Sequence, residues 1–109
     1  MWNQQYAVIM QTQIGSRHGT MTVTVDQGRI EGMLDILKKA NPFQGTINEQ
    51  GDCRCKGELT TLMRTISYIA TGQLNKESLT LRLKGDRETF ELTGMAFVPG
   101  PDAEKEPAV

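Results

Sequence analysis

Apolar and polar residues alternate with a period of two along most of the chain. Tyr6, Val8, Met10, Thr12 and Ile14 form one series, and Met21, Val23 and Val25 form the next. Ile30, Gly32, Leu34 and Ile36 follow, then Phe43, Gly45 and Ile47, then Cys53, Cys55, Gly57 and Leu59. Three more runs close the sequence: Ile66, Tyr68, Ala70, Gly72 and Leu74; Leu79, Leu81 and Leu83; Phe90, Leu92, Gly94 and Ala96. Successive side chains of a strand point to opposite faces, so each run makes a strand with one apolar face. Almost every charged residue falls on the other face.

Turn signals separate the runs at short intervals: Gly15–Gly19, Asp26-Gln27-Gly28, Lys38–Pro42 and Asn48–Gly51, then a weaker one near Met63-Arg64-Thr65, Asn75-Lys76-Glu77 and Lys84–Arg87. Such spacing predicts hairpins rather than strand–helix–strand units. The expected fold is all-β, with about eight short antiparallel strands in an up-and-down meander. Closing into a small barrel buries the apolar face, and a two-sheet sandwich is the alternative. Residues 1–98 make one domain. The segment 99–109, with its prolines and charges and no apolar pattern, reads as a disordered tail.

One stretch also satisfies a second period. Leu59, Leu62, Met63, Ile66 and Ala70 have helical spacing, so 57–71 allows one short helix ending at Gly72. Met33 to Ala40 allows another. The β-branched residues Thr60, Thr61, Thr65, Ile66, Ile69 and Thr71 favour a strand, with a bulge at Thr60-Thr61 absorbing the slip at Leu62.

Glycine punctuates the apolar faces. Gly32, Gly45, Gly57, Gly72 and Gly94 each sit between an apolar or small residue two before and another two after. At roughly 0.5–1 kcal/mol apiece relative to alanine, five such positions are a considerable cost. In strand register they read as bending and close-packing positions, not as a phosphate-binding loop.

Composition narrows the function. The net charge of −1 disfavours a nucleic-acid binder. No apolar run is long enough for a membrane helix, and Met1–Gln5 has no secretory pattern. Neither nucleic acid nor membrane is therefore an expected partner. Cys53 and Cys55 lie two apart on one strand face, too far apart for easy bridging. Two free thiols suit a reducing, cytoplasmic setting. They also fall short of the four ligands of a zinc site, so no metal or cofactor is expected. His18, the single histidine, stands near Ser16 in a turn with no orienting carboxylate, and no carboxylate pair lies in an apolar setting. A non-enzymatic role is expected.

One charge pattern stands out. In a meander, alternate turns share an end, which gathers Arg17, His18, Lys38, Lys39, Arg64, Lys84 and Arg87 at one rim, with Asp86 as the only acid. The other end carries Asp26, Glu49, Asp52 and Glu77, with Lys76 and Arg29 against them, and is mildly acidic. Two readings follow. In the first, Arg17, His18, Lys38, Lys39, Arg64 and Arg87 form an anion rim through which a non-catalytic barrel takes a small, partly apolar ligand. In the second, the core is packed and the protein is an interaction or self-assembly module. It would then dimerise through an edge strand or an outer patch of Met33, Leu37, Ile69, Met95 and Phe97.

Overall fold

In the computed structural model, which describes residues 1–98, every alternating run is a strand. They are β1 (Trp2–Thr12), β2 (Gly15–Asp26), β3 (Arg29–Ile36) and β4 (Lys39–Ile47), then β5 (Asp52–Thr60), β6 (Thr65–Leu74), β7 (Ser78–Lys84) and β8 (Thr89–Phe97). Each pairs antiparallel with its sequence neighbour, and β8 returns to pair with β1. The result is a closed meander barrel, so the sandwich alternative does not apply. Closure pairs each described strand with a neighbour on both sides. The expected tail, 99–109, lies outside the described residues.

The pairings fix the barrel's shape. A path leaving β1 at Trp2 runs through Val25, Ile30, Gly45, Cys55, Ala70, Leu83 and Phe90. Glu91 pairs with Gln11, so Phe90 lies level with Thr12, and the path has climbed from position 2 to position 12. Eight strands with a stagger of ten residues require a tilt of roughly 40° and enclose a lumen that side chains can fill.

Several boundaries differ from the sequence expectation. The helical alternative for 57–71 is not taken: β5 ends at Thr60, residues 61–64 turn, and β6 starts at Thr65. Leu59, Ile66 and Ala70 are buried, whereas Leu62 and Met63 are fully exposed, so the slip of phase at Leu62 marks a turn and not a bulge. The Met33–Ala40 stretch is likewise a hairpin. Its turn is only Leu37-Lys38, both left-handed (φ 56° and 64°), the geometry that matches the twist of a two-residue hairpin. The first turn shrinks to Gln13-Ile14, which puts Arg17 and His18 inside β2 and leaves Ile14 exposed. A sequence rule that reads every Gly, Ser or Lys cluster as a turn overcalls here, because charged and small residues also suit the outer face of a strand.

The inward positions make one core spanning all eight strands. Two of its glycines, Gly32 and Gly57, leave room for aromatic rings as well as for neighbouring backbone. Gly32 pairs with Phe43, which pairs with Gly57, which pairs with Tyr68, so glycine and aromatic alternate across β3–β6. A Cβ at Gly32 would stand 2.9 Å from the Phe43 ring tip, and one at Gly57 would stand 2.8 Å from the Tyr68 hydroxyl. Each ring lies over its neighbour's glycine, a pairing that covers the bare backbone. A void in the core, between Met21, Phe43, Tyr68 and Leu92 among others, is only about 10 Å³. That is at the lower limit for a single water.

The wall departs from regular pairing at one seam. The β4–β5 ladder stops at Phe43–Gly57, because Pro42 has no N–H to extend it. Asn41, the one buried polar side chain among the described residues, bridges the gap. Its Nδ2 donates to the carbonyls of Leu34 (3.0 Å) and Lys39 (3.1 Å), and its Oδ1 accepts the Thr60 N–H at 3.0 Å. A side chain thus does the work of the missing backbone bond.

Candidate functional site

The four hairpin turns β1–β2, β3–β4, β5–β6 and β7–β8 gather at one end, as the meander requires. The cations of the anticipated rim divide into two groups. On the β2–β4 side, Arg17 and His18 precede Gly19 on β2, which packs against Asp35 and Ile36 of β3. Lys38 and Lys39 follow directly on the next turn. Arg17 is half-buried, with a guanidinium nitrogen donating to the Ser16 carbonyl at 3.1 Å, and His18, Lys38 and Lys39 are exposed. On the opposite side the charge is largely offset. Arg64 is ion-paired with Glu88, and the Arg87 Nε lies 4.0 Å from Asp86. The sequence reading placed Asp86 as the only acid of this rim. Glu88 escaped it because the β7–β8 turn extends one residue further than its glycine suggests.

The rim does not open into a mouth. Met10, Ile36, Leu59 and Ile66, inward residues close to these turns, are buried and plug the end, beneath the half-buried Thr12 and Arg17. What the same end does expose is apolar. Ile14, Leu62 and Met63 are among the most exposed large aliphatic side chains of the described residues, and each occupies a hairpin tip.

The opposite end is finished differently. Tyr6 is wholly buried, and its hydroxyl donates to the Asn75 carbonyl at 2.5 Å. Burial, reinforced by the Cys53 thiol nearby, pushes the Tyr6 phenol up to about 12. The Lys76 ammonium lies 5.7 Å over the Trp2 ring. Asn48 and Asn75 accept the backbone N–H groups of their own turns, leaving the polar residues Glu49, Gln50, Lys76 and Glu77 outermost.

A shallow trough of about 1000 Å³ runs over the outside of β2–β6. Its floor reaches Phe43, Gly57 and Tyr68 through the seam beside Asn41, and Met33 and Ile69 flank it among Glu31, Lys56 and Glu58. The five apolar residues singled out as an outer patch therefore do not form one surface. Met33 and Ile69 share the trough, Met95 pairs with Ala7 at the β1–β8 seam, Phe97 pairs with Gln5, and Leu37 packs partly onto the core. Elsewhere the outer face alternates cations, acids and threonines, as in Arg54, Lys56 and Glu58 of β5. A barrel that spans lipid shows the reverse, apolar outside and polar within.

The remaining chemical candidates are accounted for by their contacts. The Ser16 hydroxyl bonds the Gln11 side chain at 3.0 Å, not His18. Glu91 holds the Arg82 guanidinium at 2.6 Å, and Asp52 accepts from the Gln73 and Asn48 side chains. Cys53 and Cys55 are free thiols buried in the core. The Cys55 thiol is pushed well up, first by its hydrogen bond with Cys53 and then by burial, so it stays protonated and behaves as a small hydrophobe. Tyr68 is likewise raised to about 12 by burial and then by Cys55. No protein-family model matches the chain, and no curated protein or solved structure shows significant similarity to it.

Proposed function

We propose that this protein is a non-catalytic interaction module, a rigid packed barrel that meets its partner with surface residues. The observation that carries this reading is the interior void of about 10 Å³. Small-molecule sites typically enclose ~300–1,000 Å³, so a ligand inside this barrel would have to displace core side chains. Of the two readings the sequence leaves open, this favours the packed module over the ligand-holding barrel. The rim cations then serve to attract an anionic surface, not to guide a ligand inward.

Native mass spectrometry of the purified chain tests the reading. The expected spectrum carries the mass of the polypeptide alone, or of an integral number of copies. A small molecule retained in one-to-one ratio after gentle desolvation would overturn it.

A further inference from the structure

The end bearing the basic rim presents two apolar prongs, and neither is a loose loop. In the β1–β2 tip, the Thr12 hydroxyl donates to the Gly15 carbonyl at 2.7 Å and accepts the Ile14 N–H at 3.2 Å. In the β5–β6 tip, the Thr61 hydroxyl donates to the Arg64 carbonyl at 2.8 Å and accepts the N–H groups of Met63 (3.2 Å) and Arg64 (3.1 Å). Both turns are braced by a threonine, and both direct large aliphatic side chains into water. Ile14 is 81% exposed, and Leu62 and Met63 are fully so. Aliphatic side chains held in water by braced turns are available for contact with an apolar layer.

The registers show how the prongs are arranged. A stagger of ten over eight strands amounts to about 1.25 residues per strand. Corrected for it, the four tips fall within roughly 2.5 residues of one plane, with β5–β6 and β1–β2 reaching furthest. These two tips are diametrically opposed in the strand order, and the turns between them bear Lys38 and Lys39 on one side and Arg87 on the other. The acids at this end are Asp35 on β3 and, in the β7–β8 turn, Asp86 beside Arg87 and Glu88 paired with Arg64. Two apolar tips thus flank a basic one bearing Lys38, with Lys39 next to it, on one nearly flat rim, and the charges of the fourth tip are offset. A groove-shaped partner would find no match here. A broad, flat surface with negative charge above an apolar layer would.

We infer that this end docks reversibly on an anionic lipid bilayer, with Ile14, Leu62 and Met63 entering the headgroup–acyl boundary and Lys38 and Lys39 against the headgroups. The barrel lies on the membrane and does not span it. This inference rests on the surface-module reading above.

Vesicle co-sedimentation of the full chain tests it, comparing phosphatidylcholine vesicles with vesicles in which about one-third of the lipid is phosphatidylserine. The wild type is expected to partition at least ~10-fold more strongly to the anionic vesicles, less so as salt rises. Leu62→Ser/Met63→Ser is expected to lower that partition ~10-fold or more through lost apolar burial. Lys38→Ala/Lys39→Ala is expected to lower it by ~10-fold, and Lys56→Ala, on the outer wall, to leave it within about twofold. Circular dichroism spectra and melting curves identify any variant that has lost its fold. Equal partition to neutral and anionic vesicles, or tip variants that bind like the wild type, would overturn the inference. So would tight binding of soluble poly-glutamate with no vesicle binding, which assigns the rim to an acidic protein. A retained small molecule in native mass spectrometry is a separate failure, of the packed-module reading itself.

Discussion

The two ends of this barrel are built from the same kind of hairpin and finished with opposite chemistry. At one, Asn48 and Asn75 side chains accept the N–H groups of their turns, and the outermost residues are polar. At the other, Thr12 and Thr61 do the equivalent work, and the outermost residues are Ile14, Leu62 and Met63. A braced turn therefore does not require apolar tips; the polar end closes its turns without them. The ends also differ in backbone ease. The Gln27-Gly28 turn places one side-chain-bearing residue and one glycine in the left-handed region, while Leu37-Lys38 puts two side-chain-bearing residues there. Met1 and Val98 are exposed beside the polar turns, but only the other end carries large aliphatic side chains on the hairpin tips themselves, together with Lys38 and Lys39, which is why a contact surface is assigned to it.

The comparison can be broken most strongly at the seam next to the basic rim. Asn41→Ala strands the Thr60 N–H and the Leu34 carbonyl in a buried site, so a loss of about 2–4 kcal/mol in urea unfolding is expected. An effect under ~0.5 kcal/mol would mean that backbone or water replaces the bridge. At the acidic end, Tyr6→Phe removes one buried hydrogen bond, for a loss of about 1 kcal/mol. The same residue gives a pH signature. Its phenol titrates higher in the folded state than its ordinary value near 10, so its stabilisation is complete below that pH and is lost as pH rises toward 12. Alkaline denaturation in Tyr6→Phe should therefore be shallower than in the wild type. The smallest change sharpens the contrast between the two kinds of turn. Lys38→Gly relieves a left-handed lysine and is expected to raise stability by about 0.5–1 kcal/mol in the same unfolding assay. Vesicle binding should fall in that variant, a gain in stability set against a loss of contact.

Much of the architecture was legible because it depends on local alternation. The inward series, from Tyr6, Val8 and Met10 on β1 to Leu92 and Gly94 on β8, carry their face assignment in the sequence. A slip of one residue would turn a whole strand inside out, so the pattern constrains register strongly. Turn boundaries were less legible. Arg17, His18 and Lys39 occur in polar, small-residue clusters that suit a turn and an outer strand face equally well. The grouping of the basic turns at one end also followed from the meander. The pairing of Arg64 with Glu88 did not, since it joins turns more than twenty residues apart. The tip of Leu62 and Met63 was only half legible: Met63 fell in a weak turn signal, but both residues also fit helical spacing, and only the closure of β5 against β6 puts them at a tip.

By itself, then, the sequence determined the strands, their inward faces and the use of glycine on those faces, because period-two burial is a property of neighbouring residues. Tertiary structure decided what those glycines are for, since Phe43 over Gly32 and Tyr68 over Gly57 meet only across paired strands. It also decided that the lumen is full and that Ile14, Leu62 and Met63 stand together on one rim. Those features depend on how far each strand is displaced as the sheet closes, a stagger set by all eight pairings together and encoded in no single stretch of chain.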